Sequence, residues 1–95
     1  MKRPPKLTQN EIETELKALP GWNLIDGKLH KTFKFDDFVA AWGFMSRAAL
    51  VAQAMDHHPE WSNVYSTVDV DLSTHDAGGV TKLDLELARK MNQYA

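Results

Sequence analysis

The sequence predicts an α+β fold, a two-layer sandwich whose four-stranded antiparallel sheet is covered on one face by helices, in the order α-β-β-α-β-β-α. Three observations predict it. Three segments repeat apolar residues at helical spacing between caps and breakers. An Asp26-Gly27 pair separates two strand-like runs, and Val68 to Leu72 alternates strictly between apolar and polar residues. At 95 residues the chain is expected to form one domain. A chain of that length buries only about 60–65% of the surface it exposes when unfolded, so the core is modest and self-association would add to it.

Taken in order, residues 1–7 are basic and carry Pro4-Pro5, which reads as a solvated tail ahead of a domain spanning 8–95. Thr8 and Glu11 have capping-box spacing, Ile12, Leu16 and Leu19 follow at helical intervals, and Pro20-Gly21 stops that helix. Asp26-Gly27 then suits a type I′ hairpin turn, because both central residues need positive φ. The return strand puts Leu29, Phe33 and Phe35 on one face and His30, Thr32 and Lys34 on the other. Asp36 or Asp37 caps the longest helix, about 37–55, whose apolar stripe is read as Phe38, Trp42, Met45, Ala49, Ala52 and Met55 and is expected to lie on the sheet. Residues 61–65 read as a strand that reverses near Ser66 into the half-buried strand Val68–Leu72. Ser73 to Gly79 is a loop of turn formers. Thr81 and Asp84 again have capping-box-like spacing, and Leu83, Leu87, Ala88, Met91 and Tyr94 continue a last helix to the end.

Composition excludes several classes of function. A net charge of -2 does not favour non-specific nucleic-acid binding. The absence of cysteine removes disulfides, thiolate metal sites and a catalytic thiol together. No uninterrupted apolar run reaches the ~18 residues of a membrane span. The basic start is not followed by the apolar stretch of a secretory signal, so a cytoplasmic domain is the expectation.

The chemistry concentrates in the histidines. His57-His58-Pro59 closes the long helix, since Pro59 disfavours α conformation at His58. Taken alone, the pair reads as a helix stop whose basic character suits the dipole. His75 lies seventeen residues beyond His58, in a polar loop just past a strand end. Both neighbourhoods are element ends, and in a small domain they can share one mouth. Imidazoles that titrate near neutrality can then act as acid and base, which typically contributes about 10²–10⁴-fold in rate. Three histidines could also hold Zn²⁺, but adjacent side chains point apart, so the spacing argues against a metal. Asp84 sits at the third position of the last helix, where it caps the helix or orients a histidine. Trp22 and Trp61 flank the region in sequence and suit either an aromatic wall or the core. Trp42 is assigned to the core, and His30 is given no role.

The segment Met55-Asp-His-His-Pro-Glu-Trp-Ser-Asn-Val-Tyr65, with Asp71-Leu-Ser-Thr-His75 downstream, resembles the pterin-4a-carbinolamine dehydratases. Gly21-Trp22-Asn23, Phe33 to Phe38, Gly43-Phe44-Met45 and Asp84 within Leu83 to Ala88 extend the likeness over nearly the whole chain. The resemblance implies the same fold, a homodimer or homotetramer, and a hydro-lyase reaction. In that reaction a 4a-hydroxytetrahydropterin loses water to give the quinonoid dihydropterin, as in recycling of a tetrahydrobiopterin-type cofactor. No metal or organic cofactor is implied. Carried over by motif position, His57 and His75 would be the acid–base pair, His58 would bind and orient the pterin, and Asp84 would assist from behind. Asp56, Ser73, Thr74 and Asp76 would line the pterin site, with Trp22 as an apolar wall.

Two positions depart from the family pattern. Gln53 stands where a charged residue or histidine is usual, which bears on the tuning of His57. Ala77 stands where some members have Cys. The alternative reading is a protein-binding dimerisation cofactor without catalysis, since some relatives serve a homeodomain transcription factor in that way. Such a role needs a helix surface rather than histidines.

Overall fold

The structure is a computed structural model and describes residues 3–95. Its elements are α1 (Gln9–Leu16), β1 (Asn23–Ile25), β2 (Lys28–Lys34), α2 (Phe38–Met55), β3 (Glu60–Val64), β4 (Thr67–Leu72), a 3₁₀ turn (His75–Ala77) and α3 (Lys82–Tyr94). The four strands form one antiparallel sheet in the order β1-β2-β4-β3, which is the expected α+β sandwich.

Local chemistry accounts for the elements. The Thr8 hydroxyl accepts from the Glu11 N–H while the Glu11 carboxylate accepts from the Thr8 N–H, closing the capping box of α1. Asp26 and Gly27 take φ of 52° and 78°, as a type I′ turn demands. Tyr65, at φ 50°, makes the reversal between β3 and β4. Leu29 and Phe33 from β2 and Val68, Val70 and Leu72 from β4 all point into the core, where Phe44 packs 4.6 Å from the Phe33 ring. The opposite face of the sheet is polar, with Lys28 paired to Glu60, His30 to Asp71 and Thr32 to Asp69.

The long helix presents a different face from the one its periodicity suggested. Its buried residues are Ala41, Phe44, Ala48 and Ala52, with Met45 and Met55 only half-buried. Phe38 and Trp42 are 46% and 55% exposed, and Ala49 is exposed as well. At about 100° per residue, the buried stripe is rotated by roughly 60° from the expected one. The reason lies in residue size. Alanines let α2 approach the sheet closely, and Phe44 fills the remaining space. The bulkier Phe38 and Trp42 then stack on each other outside, with ring centroids 6.1 Å apart. Apolar residues on both faces gave the periodicity two solutions, and the same property makes α2 long and apolar enough to cross a membrane by length and composition alone.

The N-terminal segment does not stand clear of the domain. The Leu7 N–H donates to the Val80 carbonyl at 2.8 Å, and Arg3 reaches Asp56 at the end of α2. Met1 and Lys2, also assigned to the tail, lie outside the described residues.

Candidate active site

The site begins where α2 ends. Asp56 takes the left-handed conformation at φ 51°, and the His57 N–H then donates back to the Ala52 carbonyl at 3.0 Å. This is a Schellman-type stop, with aspartate where glycine is usual. The turn throws the two histidines apart. His57 goes inward and is 6% exposed, whereas His58 stays on the surface. The His58 Nε2–H donates to the Gln53 side-chain oxygen at 2.8 Å. Gln53 therefore orients His58, and no bond joins it to His57, whose tuning it was expected to affect.

Asp84 waits on the other side of His57, at the start of α3. It is fully buried, and its carboxylate accepts three hydrogen bonds. The His57 Nε2–H reaches Oδ1 at 2.5 Å, while the Thr74 hydroxyl and the Thr81 N–H reach Oδ2 at 2.8 and 2.9 Å. Thr74 spends its proton on Asp84, so it accepts from the Thr81 hydroxyl at 2.8 Å. Thr81 in turn accepts from the Leu83 N–H as the cap of α3. Among the described residues no buried side-chain polar atom lacks a partner. A carboxylate can only accept, so His57 carries a proton on Nε2, and in the neutral ring Nδ1 is then the acceptor nitrogen.

The loop after β4 supplies the third histidine. Thr74 and Gly79 bridge across its base, the Thr74 N–H donating to the Gly79 carbonyl at 2.8 Å, and Gly78 closes it with φ 77°. This loop holds His75 and Asp76 exposed above the buried Thr74.

These segments enclose an open cavity of about 220 Å³ lined by Arg3, Asp56, His57, His58, Ser73, Thr74, His75 and Asp76. That is below the roughly 300–1,000 Å³ of drug-sized ligand pockets and suits a small ring system. Seven of those eight lining residues were named from the sequence. Asp84 stands behind His57 rather than at the wall. Trp22 is not at the cavity. It is a buried core residue whose ring meets Phe33 edge-on at 5.9 Å and whose Nε1–H donates to Asn92 at 3.0 Å. Trp61 is half-buried against the core, and His30 lies on the open sheet face with Asp71. Sequence reasoning missed Arg3, for which a short basic segment gave no signal. It also missed the pairing of Gln53 with His58, which their position either side of a helix stop would have allowed.

Chemically, the cavity offers two imidazoles held in fixed tautomers by Asp84 and Gln53, a third on a loop, and carboxylates on either side. Such a set can protonate a leaving oxygen and remove a proton from a neighbouring atom of the same small molecule.

Comparison with known proteins places the chain in a family. The sequence profile of the family described as pterin 4 alpha carbinolamine dehydratase matches residues 5–94. A relative from Bradyrhizobium diazoefficiens, provisionally named a pterin-4-alpha-carbinolamine dehydratase, is 59% identical over 92 residues, covering 95% of this chain and 92% of its own. One from Solibacter usitatus, named in the same way, is 51% identical over 90 residues, covering 95% of each. A crystal structure from Brucella melitensis, described as a transcriptional coactivator/pterin dehydratase, superposes with a TM-score of 0.92 at 52% identity, over 95% of this chain and 98% of that one. With a profile spanning nearly all of its length and relatives above half identity, this chain belongs to the pterin-4a-carbinolamine dehydratases, a family of enzymes.

Proposed function

We propose that the protein removes water from a 4a-hydroxytetrahydropterin by histidine acid–base catalysis, in recycling of a tetrahydrobiopterin-type cofactor. The C4a–O bond breaks as the hydroxyl takes a proton and leaves as water. The neighbouring ring nitrogen gives up its proton and forms the C=N bond of the quinonoid dihydropterin. The reaction consumes no oxidant and needs only one acid and one base. His57 and His75 take those roles, and His58 binds and orients the pterin. Asp84 holds His57 in one tautomer, and Asp56, Ser73, Thr74 and Asp76 line the ring. The observation that carries the reading is the buried Asp84–His57 pair opening onto a cavity shared with His58 and His75.

The test is a dehydration assay. A 4a-hydroxytetrahydropterin is generated in situ and quinonoid product is followed by absorbance, with wild type and His75→Ala side by side. Wild type is expected to accelerate water loss, and His75→Ala to lose about 10²–10⁴-fold of that acceleration. Its melting temperature should hold, because surface changes usually stay within about 0.5 kcal/mol. Equal rates with and without wild-type protein refute the reading.

A homodimer or homotetramer is proposed with it. The outer face of α2, where Phe38, Val39, Trp42 and Leu50 are exposed, supports burial against another copy. The same face favours the second reading, a binding module like the coactivator function named for the Brucella structure. The cytoplasm is the proposed setting.

A further inference from the structure

Of the residues around the cavity, Arg3 alone comes from outside the loops and helix end that build it. Three contacts place it there. The Leu7 N–H donates to the Val80 carbonyl at 2.8 Å. The aliphatic chain of Lys6 lies so close over Gly79 that a Cβ at that position would come within 2.8 Å of Lys6 Cε. The Arg3 Nη2–H donates to the Asp56 carbonyl at 2.5 Å, with the Asp56 carboxylate 3.5 Å away. The segment thus crosses the loop before α3 and ends at the stop of α2. The Arg3 side chain is only 23% exposed, whereas that of Asp56 is 79% exposed.

Both contacts go to Asp56 through Nη2, and among the described residues the guanidinium has no other partner. It has five N–H donors in a planar fork, stays charged at any working pH, and accepts nothing. The remaining walls are different in kind. Asp56 and Asp76 are acceptors, and the histidines are the groups that move protons. A pterin presents both kinds of atom along its pyrimidinone edge, an amino group and ring N–H that donate, and a carbonyl oxygen that accepts. The carboxylates suit the donors. The Ser73 hydroxyl can donate or accept, and Arg3 is the one permanently charged donor among the cavity residues, which makes it the strongest match for the carbonyl.

We infer that Arg3 is a substrate-binding residue, donating from its free N–H groups to the pyrimidinone carbonyl oxygen of the pterin. This rests on the pterin reading above and adds to it a recognition element carried by the N-terminal segment. It makes the segment part of the site rather than a tail. It also assigns Asp56 a second duty, that of fixing the guanidinium through its carbonyl while its left-handed turn aims His57.

The experiment uses the full chain as wild type, Arg3→Ala and Arg3→Lys. Affinity is measured calorimetrically for two probes, 7,8-dihydropterin and 2,4-diamino-7,8-dihydropteridine, which carries an amino group in place of the carbonyl. Dehydration kinetics are measured in parallel. Arg3→Ala is expected to weaken dihydropterin by about tenfold or more, the usual range for a bond from a charged donor, and to raise KM similarly with kcat little changed. The diamino probe should be affected less than about twofold, because the amino group in place of the carbonyl donates and so makes no bond with the guanidinium for the variant to lose. Arg3→Lys should recover part of the dihydropterin affinity. If Arg3→Ala leaves dihydropterin binding intact, or weakens both probes equally, the inference is overturned while wild-type turnover still upholds the dehydratase reading. If wild type neither binds dihydropterin nor accelerates dehydration, the dehydratase reading falls and the inference falls with it.

Discussion

Asp84→Asn tests the chemistry of the site most directly, because it preserves shape and changes only the charge and the pattern of donors and acceptors. The native carboxylate accepts from His57 Nε2, the Thr74 hydroxyl and the Thr81 N–H. An asparagine has one oxygen and one NH₂ to offer. If its oxygen faced His57, its NH₂ would oppose the Thr81 N–H, donor against donor, at a buried helix start. The cheaper arrangement keeps the oxygen on Thr81 and Thr74 and turns the NH₂ toward His57. His57 Nε2 must then accept, and its proton moves to Nδ1, the nitrogen that should be free. The base is replaced by a donor without any atom moving far. Loss of the charge-assisted bond costs about 1.5–3 kcal/mol, which for a chain of this size lowers Tm on the order of 10 °C. Misplacing the proton removes the acid–base contribution of His57, about 10²–10⁴-fold in kcat. Stopped-flow dehydration and a thermal melt on the same preparation read both quantities. Turnover within twofold of wild type, alongside the lowered Tm, would refute the tautomer argument and leave Asp84 as a helix cap only.

The remaining expectations concern the neighbours of that pair and the outer helix face. Gln53→Ala removes the partner of His58 Nε2, so KM should rise several-fold with kcat changed less than about threefold, and an unchanged KM refutes the orienting role. Phe44→Ala should cost about 3–5 kcal/mol by denaturant unfolding, because the ring is fully buried. Trp42→Glu should instead shift the sedimenting species to a lower mass while leaving the protomer folded. An unchanged mass, or a monomeric wild type, refutes the proposed α2 interface.

Much of this was legible in the residues, and the exceptions share a cause. Caps, the Asp-Gly turn and strict alternation are local, and each was readable because a few neighbouring residues decide it. Of the cavity residues, His57, His58 and His75 were readable because they lie at element ends that the topology brings together, whereas Asp56, Ser73, Thr74 and Asp76 came only with the family resemblance. The face of α2 was not readable, since Phe38 and Trp42 out-score Ala41 and Ala48 in any count of apolar residues. Only the sheet decides that small residues must face it. Trp22 was drawn to the site by its place in a motif, yet its packing on Phe33 and its bond to Asn92 come from segments far away in sequence. Arg3 is likewise placed by contacts with residues more than fifty positions on.

The carboxylate of Asp84 serves two masters, since one oxygen anchors the first turn of α3 and the other holds His57. The proposed catalytic apparatus thus has a part that folding can spare and a part that it cannot. A descendant of this chain that gave up catalysis could lose His75 or His58 at little cost to folding. To lose Asp84, it would have to rebuild the entrance to α3 and find another home for a buried imidazole. Where relatives have taken up other work, Asp84 and His57 should therefore persist as architecture after the exposed histidines have drifted, and their presence alone is no sign of an active enzyme.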